Sequence, residues 1–289
     1  MSGAPTPIRQ SVMFIVIALG LAVAVALTFP KTGDLAPLVS IPIPLIATAI
    51  VITHATPTGR QREAWAGLGV GRLGLRGMLP AIALPAAIAV ASFAVAAAIG
   101  VVRFSASAVT PALGIDFLFL LVVFSVVFLG EEIGWRGLLL PRLAEALPFR
   151  QAALLTGFVH GVFHLPLYLL SSSYMVAGSR WIVVPLAMVA FTFGGVFYAW
   201  LRQTTDSVWP VAVGHNAFNA FFETLGSVTV ASSPAALAYL TNETGLVTVA
   251  LIVLTASYLL ARAPVFRDAA EPRGPHAHEP AGPSTAPSS

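Results

Sequence analysis

Apolar residues along this chain gather into eight long stretches, separated by short segments rich in Gly, Pro, Arg and Ser. A helix needs about 20 predominantly apolar residues to cross the hydrocarbon core of a bilayer. The stretches run approximately over residues 11–29, 38–53, 78–102, 117–140, 151–170, 182–201, 208–225 and 246–261. The second is short and interrupted by Pro42 and Pro44. The pattern predicts an all-α fold, a polytopic membrane helix bundle with about eight transmembrane helices.

Composition supports the pattern. Of 289 residues, 57% are hydrophobic and 9% charged, against roughly 25% charged in a soluble domain. The mean hydropathy is +0.87. Lipid must therefore cover part of the surface, and membrane lipid is a predicted partner. The absence of cysteine excludes disulfides, thiolate zinc sites, Fe–S clusters and a cysteine nucleophile.

The net charge of +3 does not point to nucleic acid, because the arginines occupy short loops between apolar stretches. With eight spans, one side of the membrane holds Arg9, Arg60, Arg62, Arg72, Arg76, Arg142, Arg150, Arg202, Arg262, Arg267 and Arg273. The other holds Lys31, Arg103 and Arg180, and Arg136 lies inside a span. This asymmetry puts both termini in the cytoplasm. The first stretch is longer than the apolar region of a signal peptide and is read as a retained span. A transmembrane domain over residues 1–262 is expected, followed by a disordered cytoplasmic tail over 263–289, rich in Pro, Ala and Ser.

Three stretches carry polar residues that lipid would penalise, and such residues mark functional sites. The fourth ends in Glu131-Glu132-Ile133-Gly134-Trp135-Arg136. Glu132 and Arg136 are spaced for an i, i+4 ion pair. Glu131 points elsewhere and is free to act as a base. The fifth contains His160 and His164, one helical turn apart, and then Pro166. The seventh contains His215 and Asn219 at the same spacing, with Glu223 one turn further on. Separately, each set could be helix-to-helix polar contacts or an interfacial helix end. Together they supply a carboxylate to deprotonate water, imidazoles to orient it, and amide or imidazole donors for an oxyanion.

In order and spacing, Glu131-Glu132-x-x-x-Arg136, His164-Leu165-Pro166 and His215-x-x-x-Asn219 resemble the three signatures of the CPBP family. This family comprises membrane-embedded CAAX endopeptidases and bacteriocin-processing or immunity proteins, also called Abi proteins. The resemblance covers about residues 115–225. It implies Glu131, His164, His215 and Asn219 as catalytic residues, with Glu132, Arg136 and His160 supporting. It also implies a peptide or protein substrate at the membrane, and a bacterial cytoplasmic membrane as the location. The family usually has an aromatic residue where His160 stands. A divalent metal such as zinc, held by Glu131, His160, His164 and His215, and a metal-free glutamate-activated water are equal alternatives; no HExxH motif is present.

Two other classes use the same residues. A transporter could pass protons or ions along the buried polar groups, and an immunity or scaffold protein could keep the fold without chemistry. Gly69-Val70-Gly71-Arg72-Leu73-Gly74 satisfies GxGxxG but follows no predicted strand, and is read as a flexible cytoplasmic loop.

Overall fold

A computed structural model describes residues 7–29, 35–170 and 178–267. The chain forms α1 (Pro7–Thr28), α2 (Leu35–Ser40), α3 (Ile43–Ala55), α4 (Gln61–Ala66), α5 (Met78–Ala98), α6 (Pro111–Glu132), α7 (Leu140–Ala144) and α8 (Phe149–Leu170). It continues with α9 (Arg180–Thr205), α10 (Trp209–Ser227), α11 (Pro234–Leu240) and α12 (Leu246–Arg262). Two short strands, β1 (Val102–Phe104) and β2 (Thr229–Ala231), pair antiparallel with Arg103 opposite Val230.

Helix satisfies every backbone group within the segment, as lipid requires. Entry points follow local chemistry. The Thr110 hydroxyl accepts from Leu113 N at 3.2 Å ahead of Pro111, and Ser233 caps α11 ahead of Pro234. Pro42 and Pro44 divide the second stretch, which bends between α2 and α3 but still offers one apolar span over Ala36–Ala55.

A helix occupies each of the eight expected stretches, yet only six are long and apolar enough to cross a bilayer. The helix α10 falls out because His215, Asn216, Asn219 and Glu223 share its 19 residues. The last, α12, has only 17 residues. Among the described residues, six of the eight expected spans are thus candidate spans by length and composition. At the C-terminal end, Pro264–Phe266 forms a short 3-10 turn with Phe266 buried, while residues 268–289 of the expected tail lie outside the described residues.

The pairs α8–α9, α6–α10, α5–α10 and α9–α12 make the principal contacts. The α8–α9 pair is unusually close. A Cβ on Gly157 would come within 2.5 Å of Phe191 O, and one on Gly195 within 2.7 Å of Gly157 Cα. Missing side chains let the two backbones touch, as at small-residue interfaces in membranes. That contact sets His160 and His164 against Phe191.

At one end of the bundle the GxGxxG segment is a fixed clasp rather than the flexible loop expected. Trp209 Nε1 donates to Val70 O at 2.9 Å, Val208 N donates to Gly69 O at 3.2 Å, and the Ser207 hydroxyl donates to Arg72 O. Gly69 and Gly74 take φ of 84° and 62°, a conformation that favours glycine. Gly69 and Gly74 let the backbone pack closely against Asp206, Ser207 and Pro210. At the opposite end, β1 and β2 tie α5 to α10.

Candidate active site

Glu131 and Glu132 sit at the end of α6, where the helix widens into a π-helical segment over Ile133–Leu139. Such segments are rare and recur at functional sites. Gly134 allows the close approach of α3 here, since a Cβ would meet Pro44 at 2.5 Å. Glu131, Glu132 and Arg136 are all buried, and Arg136 Nη1 donates to both Glu132 oxygens, at 3.0 and 2.9 Å. His215 Nδ1 donates to Glu132 Oε1 at 2.8 Å. The Tyr198 ring lies 4.9 Å from the Arg136 guanidinium carbon. The i, i+4 pair expected from the sequence is therefore present and extended by an imidazole. Each Glu132 oxygen has a cationic or imidazole donor, so this carboxylate is fully occupied.

Glu131 has a different neighbourhood. Its Oε2 lies 3.3 Å from His160 Nε2, which is also 3.4 Å from His164 Nε2. The tautomer of His160 follows from its other nitrogen. Arg136 Nη1 is 3.2 Å from His160 Nδ1, and an arginine can only donate. Nδ1 must therefore accept, which leaves the proton on Nε2, facing Glu131 and His164. Trp135 stacks on His160 at 4.7 Å between ring centroids, and Phe191 stacks on His164 at 4.8 Å.

On α10, His215 and Asn219 face one cavity, which Glu131, His160 and His164 also line. Its volume is about 170 Å³, roomy enough for several waters. The Asn219 amide makes no hydrogen bond among the described residues. Its neighbour Asn216 instead fastens α10 to α6, donating to Leu120 O and Leu121 O at 2.9 Å each and to the Ser125 hydroxyl at 3.1 Å. Glu223, on the stripe begun by His215, is exposed.

The structure thus brings together all seven site residues expected from sequence. It adds Trp135, Phe191 and Tyr198 as the aromatic frame. It also adds Glu243 and Thr244, which reach the cavity from the turn before α12. Nothing in the sequence pointed to Glu243, because it sits outside the motifs and outside the apolar stretches.

Glu131, His160 and His164 each present a ligand atom within 4.8 Å of the others, close enough to hold a metal ion; His215, the fourth ligand expected, is outside that group. The donors fit in number, but the surroundings of His160 do not. A metal on its Nε2 would require the proton on Nδ1, which would then point at the Arg136 N–H. A ligating histidine normally turns its other N–H to an acceptor.

A polytopic helix bundle enclosing a buried acid and two histidines defines a membrane-embedded protein with a catalytic or metal-type site. Residues 112–221 match the family described as type II CAAX prenyl endopeptidase Rce1-like. The match spans α6 to α10 and so includes every site residue named from the sequence. No curated protein matches the chain.

Proposed function

We propose that this protein is an intramembrane endopeptidase that hydrolyses a peptide bond of a membrane-associated substrate with a water activated by Glu131. The observation that carries this reading is the contrast between two adjacent acids. Glu132 is saturated by Arg136 and His215, whereas Glu131 faces the cavity beside the histidines of α8. In the proposed reaction, Glu131 takes a proton from the water, and the oxygen attacks the scissile carbonyl carbon. His164 orients the water from across the site. The negative charge on the former carbonyl oxygen is held by the Asn219 amide and by His215, whose ring Glu132 orients. As the C–N bond breaks, Glu131 returns its proton to the departing amine.

The position of His160 favours the metal-free version. Its Nδ1 accepts from Arg136, so its role is to hold Glu131 through the Nε2 proton rather than to bind a cation. In the same reading all eight apolar stretches are spans, both termini are cytoplasmic, and α10 crosses because His215, Asn216 and Asn219 are turned inward. The expected location is a bacterial cytoplasmic membrane.

The test uses the purified full chain in proteoliposomes with a quenched-fluorescent, lipid-anchored peptide panel. Cleavage by the native protein that is lost in folded Glu131→Gln supports the proposal. Substrate-driven ion flux without cleavage would overturn it in favour of a transporter.

A further inference from the structure

The same cavity is reached by an acid from outside residues 112–221. Glu243 lies in the turn between α11 and α12, and backbone bonds fix that turn. Thr241 N and Asn242 N both donate to Leu237 O, at 3.0 and 3.2 Å, and Gly245 N donates to Asn242 O at 2.7 Å. A Cβ on Gly245 would fall within 2.5 Å of Thr241 N, so the turn closes this tightly only around glycine. Glu243 and Thr244 are thereby held on the cavity wall, beside Ile252 and Thr255 of α12.

The Glu243 carboxyl makes no hydrogen bond or ion pair among the described residues. Burial, offset in part by His215 and reinforced by Glu223, pushes it up to about 7. Among the described residues no cation makes an ion pair with it. Arg136, the arginine lining the cavity, pairs through Nη1 with Glu132 instead. Much of the remaining wall is apolar, including Leu84, Ile88, Phe128 and Phe218. A half-buried carboxylate in such a wall loses hydration without gaining a partner. A cation arriving with the substrate would supply that partner, and an anionic group would be repelled.

We propose that Glu243 is a specificity-determining residue that receives a lysine or arginine side chain of the peptide substrate. This rests on the hydrolytic reading of the site for its biological meaning, but its physical content is a binding preference and can be measured without turnover. By the same charge argument, a free C-terminal carboxylate is disfavoured at this wall.

The experiment compares lipid-anchored fluorescent peptides that differ at one scanned position, carrying lysine, norleucine or glutamate. Binding is measured on the full chain with Glu131→Gln, so that no peptide is consumed. At one position the lysine peptide is expected to bind at least about tenfold more tightly than the norleucine peptide. Adding Glu243→Gln should bring that ratio to about one, and Glu243→Lys should turn the preference towards the glutamate peptide. Equal binding of the lysine and norleucine peptides at every position would overturn the assignment, even if the Glu243 variants fail to fold. So would a preference that survives Glu243→Gln. A lysine preference in binding with no cleavage by the native protein would keep the Glu243 assignment and sink the endopeptidase reading. Cleavage with no such preference would do the reverse.

Discussion

The polar groups around the cavity fall into two sets that differ in how they are matched. Glu132, Arg136 and His215 form one, in which each charge meets a partner within 3.0 Å. In the other, among the described residues, Glu131 is held only by a 3.3 Å contact to the His160 imidazole, and Asn219 and Glu243 line the cavity with no hydrogen bond. Buried charges that are fully paired act as scaffold. Buried polar groups left short of partners are the ones available to water and substrate. In the proposed reading this contrast gives Glu132 an architectural role and Glu131 the chemical one, although the two are neighbours in sequence and both buried.

Substitutions can break this contrast in order of expected effect. Glu131→Gln should lower the cleavage rate by about 10²–10⁴-fold while leaving the melting temperature in detergent nearly unchanged. A large loss of stability would show that Glu131 belongs to the scaffold. Arg136→Met strands Glu132 and should destabilise the fold by about 3–5 kcal/mol, read as a lowered melting temperature. A fold that tolerates this change would remove the distinction between the two sets.

Gly157→Val tests the packing that carries the α8 histidines. It inserts atoms where a Cβ alone would meet Phe191 O at 2.5 Å, and should cost about 1–3 kcal/mol by overpacking. His160→Phe is expected to be milder, keeping cleavage within about tenfold of the native rate and leaving it insensitive to chelators. Abolished cleavage together with loss of bound metal would instead identify His160 as a ligand.

The smallest effect concerns pH. A carboxyl at about 7 is largely protonated below that value and charged above it. The ratio of lysine to norleucine peptide binding should therefore rise as pH increases through about 7 and then level off. The same pH series with Glu243→Gln separates the titration of Glu243 from that of His215 and Glu223, and should leave the ratio flat. A flat ratio between acid and alkaline pH would remove Glu243 from substrate recognition.

Much of this was legible in the chain itself. The helices could be read because lipid forces apolar residues into long runs, and the i, i+4 spacings of Glu132–Arg136, His160–His164 and His215–Asn219 fix which residues share a face. Convergence of three separate helices could be inferred only from the joint cost of burying such groups. The number of spans was harder, since His215, Asn216, Asn219 and Glu223 lower the average hydropathy of α10 and α12 has only 17 residues. The GxGxxG clasp was misjudged because its order comes from Trp209 and Ser207, far away in sequence. Glu243 was invisible because it lies outside the motifs and the apolar stretches, and only the packing of its turn brings it to the cavity wall.

The wide winding between Ile133 and Leu139 makes chain length, rather than side-chain type, the guarded quantity in that segment. Leu138 could be exchanged for another apolar residue of similar bulk at modest cost. Deleting it would remove the extra residue and let the segment wind as ordinary α-helix, so α7 would keep nearly the same phase while the residues inside the turn rotated about the axis. Arg136 and Gly137 would then lose their places beside Glu132 and Leu68. Relatives that share this geometry should therefore differ here by replacement and not by gaps.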